Sequence, residues 1–79
     1  MLLNLLRSIF TPRAQANPYI ARSLALRREG RLRDAEQLLR EAALQFPRDA
    51  LVATNLGVAL LEQDQGEQGV AWLERALEF

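Results

Sequence analysis

The 79 residues leave room for one small domain, which buries a modest share of its surface. Cysteine and histidine are absent, which removes disulfides, thiolate metal sites and the commonest catalytic base, and all ten basic residues are arginine. Ten acidic residues balance them unevenly: residues 1–48 hold nine Arg against Glu29, Asp34, Glu36 and Glu41, a net +5, and residues 49–79 hold Arg75 against six acids, a net −5.

The simplest reading of that dipole is a set of solvated helix faces. The sharper readings are head-to-tail attraction between copies, or steering of an acidic partner to the first half. A scaffold this small usually needs a staple, and without disulfides or metal the expected one is oligomerisation or a bound partner. No run reaches the 18 apolar residues of a membrane span. The apolar start lacks the leading basic charge of a secretory signal, so a cytoplasmic chain is expected.

The first predicted element runs from Leu2 to Phe10, with Leu2, Leu5, Leu6 and Ile9 on one helical face and Asn4, Arg7, Ser8 and Thr11 on the other. Alone in water so short a helix is unstable and needs an apolar surface to lie on. A second helix is expected to start at Asn17-Pro18, with Asn17 as N-cap and Pro18 at the first helical position, and to end at Gly30. Ile20, Leu24 and Arg27 share one side of it; Tyr19, Leu26, Ser23 and Ala25 help fill another.

The third helix is expected over Leu32–Phe46, with an apolar stripe of Ala35, Leu38, Leu39, Ala42, Ala43 and Phe46. Glu36 and Arg40 form an i, i+4 pair, and Pro47 stops the helix. Asp49 caps a fourth helix over Ala50–Gln63, in which Leu56, Val58, Ala59, Leu60 and Leu61 are buried or semi-buried candidates. Asp64-Gln65-Gly66 reads as a turn, and a fifth helix over Glu67–Glu78 carries Val70, Trp72, Leu73, Ala76 and Leu77. The fold class is therefore all-α: two tandem helix–turn–helix hairpins after a short amphipathic helix.

A shift of 34 residues lays the sequence on itself: Ala16 on Ala50, Ala25 on Ala59, Leu26 on Leu60, Leu39 on Leu73 and Ala42 on Ala76. In this register residues 16–49 give Tyr19, Arg22-Ser23, Leu26, Gly30, Ala35, Leu39, Ala42 and Pro47. Residues 50–79 give Ala53, Leu56-Gly57, Leu60, Gly69, Leu73 and Ala76. This pattern resembles the tetratricopeptide repeat family, with residues 1–15 as a helix and linker, 16–49 as repeat one and 50–79 as repeat two. Arg22 departs from it, standing where leucine is usual, and the turn glycine of repeat two is displaced, with Asp64 opposite Gly30 and Gly66 two residues later. Small residues at Ser23, Gly57, Ala35, Gly69, Ala42 and Ala76 would let the helices cross closely.

The resemblance implies a non-catalytic protein-binding module in which the first helix of each hairpin lines a groove for a peptide or a helix. Carried over by position, the groove residues are Ile20, Leu24, Arg27, Arg28, Thr54, Asn55, Val58 and Leu61, with Asn17, Ala21, Leu51 and Glu62 beside them. The lysine and asparagine clamp that some members use on a terminal carboxylate is matched only by Asn55, so an amphipathic helix suits the surface better. Equally open is that these residues pack on the chain's own first segment or on another copy.

The alternative function is a self-assembling block, a homo-oligomer in which the first segment covers the exposed end within one chain or is swapped between two. Its contacts would be Leu2, Leu5, Leu6, Ile9 and Phe10 together with Trp72, Leu73, Leu77 and Phe79, on a last hairpin read as having no capping helix. Catalysis is not expected, because histidine, cysteine and lysine are all absent. No cofactor is implied, and no loop has a calcium-type spacing. Arg22, Arg27, Arg28, Arg31 and Arg33 have one nearby aromatic, Tyr19, and zero overall charge behind them, a weak basis for nucleic acid. A lone Arg7 is a weak basis for a membrane surface.

Overall fold

A computed structural model describes residues 16–79. They form α1 (residues 16–28), α2 (Leu32–Gln45), α3 (Ala50–Glu62) and α4 (Gly66–Glu78). The chain is all-α, as its composition and period require. The first predicted element, Leu2–Phe10, lies outside the described residues.

The helix boundaries follow local chemistry. Asp49 caps α3, its side chain accepting hydrogen bonds from the N–H groups of Leu51 and Val52. One expectation fails at α1. Ala16 is already helical, so Asn17 lies inside the helix and is not its cap.

Both hairpins turn by one device. Gly30 sits at φ +79°, its N–H donating to the Arg27 carbonyl while Arg31 N–H donates to Leu26. These are the two bonds of a Schellman cap. Thirty-four residues on, Asp64 sits at φ 61°, its N–H donating to Leu61 while Gln65 N–H donates to Leu60. Asp64 therefore does the work of Gly30, and the turn is not displaced. Aspartate tolerates the left-handed region better than most residues, although glycine tolerates it best.

The second hairpin closes at a point of backbone contact. A Cβ added at Gly57 would lie 2.9 Å from the carbonyl oxygen of Gly69, and one added at Gly69 would lie 2.8 Å from that of Gly57. Leu73 lies across Gly57 and Leu61 across Gly69, so each glycine makes room for a backbone and a leucine together. In the first hairpin Ser23 and Ala35 hold the same places, both fully buried, and the Ser23 hydroxyl donates to the Ile20 carbonyl at 2.7 Å.

Helix α3 packs between α2 and α4. One core cluster joins Ala16, Ile20, Ala42 and Val52, with Tyr19 and Phe46 edge-to-face beside it at 6.2 Å. The other joins Leu39, Leu56, Ala59 and Leu60 under Ala43 and Trp72. The expected stripe of α2 divides accordingly. Ala35, Leu39 and Ala42 are buried, while Leu38, Ala43 and Phe46 are half-buried.

Gly57→Ala or Gly69→Ala should therefore cost about 1–3 kcal/mol, because a backbone must move to admit the methyl group. Asp64→Gly should gain about 0.5–1 kcal/mol by relieving the left-handed backbone. Urea unfolding followed by circular dichroism checks both signs.

Candidate functional site

Helices α1 and α3 lie side by side and parallel, in contact at both ends. Ile20 meets Val52 in the core near their N-terminal ends, and Arg27 forms an ion pair with Glu62 near their C-terminal ends. The Arg27 side chain is largely covered, and its Nε has no hydrogen-bond partner among the described residues. The pair bridges the two helices, and a covered pair with one donor unsatisfied contributes little net stability.

Both helices also carry apolar side chains that are only partly covered. Leu24 is 37% exposed, Leu51 42% and Leu61 40%, and Val58 is half-buried. Ile20 departs from its expected place: it is buried in the core with Ala42 and Val52 and does not line the surface. Arg28 is exposed, and Arg27 is engaged with Glu62. Thr54 donates its hydroxyl to the Ala50 carbonyl at 2.7 Å, and Asn55 donates its amide to Leu51 at 2.8 Å. Both side chains spend donors on their own helix, so the surface is more apolar than its residue names imply.

The second predicted patch divides. Trp72 is half-buried on the core with Arg75 stacked over its ring at 4.7 Å, and Leu73 is half-buried across Gly57. Leu77 is 89% exposed, and Phe79 is 40% exposed under the guanidinium of Arg48. Val70 of α4 is exposed, and Leu44 of α2 is exposed as well. Leu2, Leu5, Leu6, Ile9 and Phe10 lie outside the described residues.

A polar link between the hairpins escapes the sequence pattern. Glu36 accepts hydrogen bonds from Arg40 at 2.7 Å and from Gln63 at 2.8 Å, and Arg40 also donates to Gln68 at 3.1 Å. The i, i+4 spacing reveals the Glu36–Arg40 pair; the reach to Gln63 and Gln68 depends on the tertiary packing. Burial pushes the Glu36 carboxyl up, but the bonds from Arg40 and Gln63 and the charges of Arg40 and Arg33 outweigh it and hold its pKa below the ordinary glutamate value.

Among the described residues no cluster of acidic side chains could hold a metal ion, and no helix is long and apolar enough to cross a membrane. Comparison with known families matches the tetratricopeptide repeat over residues 26–79. The chain belongs to the tetratricopeptide repeat family. Such repeats generally mediate protein–protein interaction and are typically non-catalytic. No curated protein and no solved structure matches this chain. The family pattern places α1 and α3 as the first helices of the two repeats, and these carry the partly covered Leu24, Leu51, Val58 and Leu61.

The lowered Glu36 pKa has a consequence for stability. With the folded pKa below the unfolded one, its contribution is complete above the ordinary glutamate range and is lost as pH falls through the folded pKa. Glu36→Gln should cost about 1 kcal/mol at neutral pH and nothing once the carboxyl is protonated, a difference that urea titrations at neutral and strongly acid pH would show.

Proposed function

We propose that this tetratricopeptide chain is a non-catalytic adaptor that receives an amphipathic helix on the α1–α3 face. The observation that carries this reading is the apolar surface of Leu24, Leu51, Val58 and Leu61, whose polar neighbours Thr54 and Asn55 are bonded to their own helix. An extended peptide needs donors and acceptors for its main chain, and this surface has few left to give. A helix satisfies its own backbone and needs mainly apolar burial. The exposed Arg28 at the edge favours a partner with a carboxylate near one end of its apolar stripe.

Self-assembly is the second reading, favoured by the exposed Val70 and Leu77 on α4. Molar mass by light scattering over a tenfold range of concentration separates the two. A monomer supports the adaptor, and a concentration-dependent dimer or larger species supports assembly.

Helical peptides selected on the immobilised protein from a randomised library should carry apolar residues at i, i+3 or i+4, and i+7. The double variant Leu24→Glu, Val58→Glu should weaken their binding at least about tenfold, since each buried apolar side chain contributes about 1.5–3 kcal/mol. Its helical circular dichroism should be unchanged. Selected peptides that still bind this variant at full strength would place the site elsewhere.

A further inference from the structure

The second helices of the two hairpins meet along a seam that the α1–α3 face does not use. Arg40 of α2 donates to Gln68 near the start of α4 at 3.1 Å. Arg48, in the connection after α2, lies over the ring of Phe79 at the end of α4, 5.9 Å from its centroid. Between these two contacts α2 presents Leu44, one turn after Arg40 and 84% exposed. Helix α4 presents Trp72 and Arg75, which share a side with Gln68 and Phe79 by their i, i+4, i+7 and i+11 spacing. Arg75 lies over the Trp72 ring at 4.7 Å. Glu67, Glu74 and Glu78 fall off this side of the helix, so α4 sorts its charges by face.

The two arginines over rings differ from the others that the fold holds in place. Arg27, Arg31 and Arg40 are each paired with a carboxylate. Arg48 and Arg75 are exposed, and neither forms an ion pair or donates a side-chain hydrogen bond among the described residues. Attraction to a ring face uses the charge of a guanidinium and none of its N–H groups. The donors therefore stay free while the side chain is already restrained, which lowers the entropy cost of a later contact. Because Phe79 follows Arg75 by one turn, the ring that holds Arg48 adjoins Arg75.

We propose that the α2–α4 seam is a second docking site, separate from the α1–α3 face, for an acidic peptide segment of another protein. Its carboxylates would lie on Arg48 and Arg75, and an apolar side chain would lie against Leu44. A guanidinium fork accepts a carboxylate through two parallel hydrogen bonds, which sets the charge class of the ligand. Glu36, which borders the seam, is already engaged by Arg40 and Gln63, so a basic segment finds little there. A small inorganic anion would satisfy the donors but leave Leu44 and Phe79 uncovered, whereas a peptide can meet both. The chain would then hold two partners at once, one on each pair of helices.

Trp72 is the one tryptophan of the chain and stands under Arg75, so its emission reports on this seam. The probe is the peptide Glu-Glu-Leu-Glu-Glu, blocked at both ends and titrated into the millimolar range against the full chain at low salt. Binding should change the Trp72 emission and weaken as salt is added. By calorimetry, Arg48→Gln and Arg75→Gln should each weaken it about fivefold or more. Arg22→Gln on α1, which removes the same charge elsewhere, should weaken it less than about twofold. Arg75→Lys should lose nearly as much as Arg75→Gln, since lysine keeps the charge but not the fork. Equal losses at Arg22 and Arg75, or full binding by the lysine variant, would reduce the effect to net charge and overturn the site. Absent binding, or binding without a change in Trp72 emission, would overturn it too. So would a molar mass that rises with concentration in the parent chain and not in Arg75→Gln, which would assign the seam to a second copy.

Discussion

The carbonyl oxygen of Gly69 stands 2.9 Å from the point where a side chain on Gly57 would begin, and the reciprocal distance is 2.8 Å. Much of the second hairpin depends on that approach. Because the backbones touch there, Leu73 can lie across Gly57 and Leu61 across Gly69. Leu56 and Leu60, on the same helix as Gly57, pack with Leu39 of the preceding hairpin. A wider crossing would carry α4 away from α3 and take Trp72 off the same cluster. The first hairpin uses Ser23 and Ala35 in these places and so carries two small side chains at its crossing where the second carries none. The Ser23 hydroxyl is admissible there because the Ile20 carbonyl accepts its hydrogen.

What the sequence made legible were the features tied to period and to local chemistry. Four proline or glycine punctuation points, Pro18, Gly30, Pro47 and Gly66, together with the 34-residue shift located the described helices to within a residue or two, and Asp49 was readable as a cap because aspartate before an apolar helix has few other local uses. Asp64 was misread because glycine was taken as the mark of the turn; the hydrogen bonds show that the left-handed backbone, which aspartate also adopts, is what the turn requires. Asn17 was misread for the opposite reason, since the local signal for a cap was present but the helix covers Ala16 as well. Ile20 was misplaced because an apolar residue at helical spacing does not disclose which neighbour it will meet. Ile20 shares its core cluster with Ala42 and Val52.

The opposite charges of the two halves are partly used inside the molecule. Arg27 of the basic half pairs with Glu62 of the acidic half, and Arg48 lies over Phe79. Arg31 pairs with Asp34 within its own turn, at 2.7 Å, and Arg40 with Glu36 within its own helix. These contacts engage four of the seven arginines of residues 16–49 within the molecule, which weakens the argument from gross dipole to partner. Exposed local pairs contribute little to stability. The hydrogen-bonded link of Glu36, Arg40, Gln63 and Gln68 matters more, because it spans three helices and fixes how one repeat is turned on the next.

The same register sets a limit on what α4 can do. Its exposed Leu77 stands where Ala43 stands in α2, and Ala43 packs half-buried on both core clusters at the joint between the repeats. A leucine in that position adds volume at a contact whose spacing an alanine sets, so a helix laid on α4 could not sit as α3 sits on α2. Val70 replaces Glu36 in the same way and removes the acceptor that holds Gln63. The α4 face is thus more apolar than the internal joint and lacks its polar lock. That face is suited to apolar burial with looser orientation than the internal joint imposes.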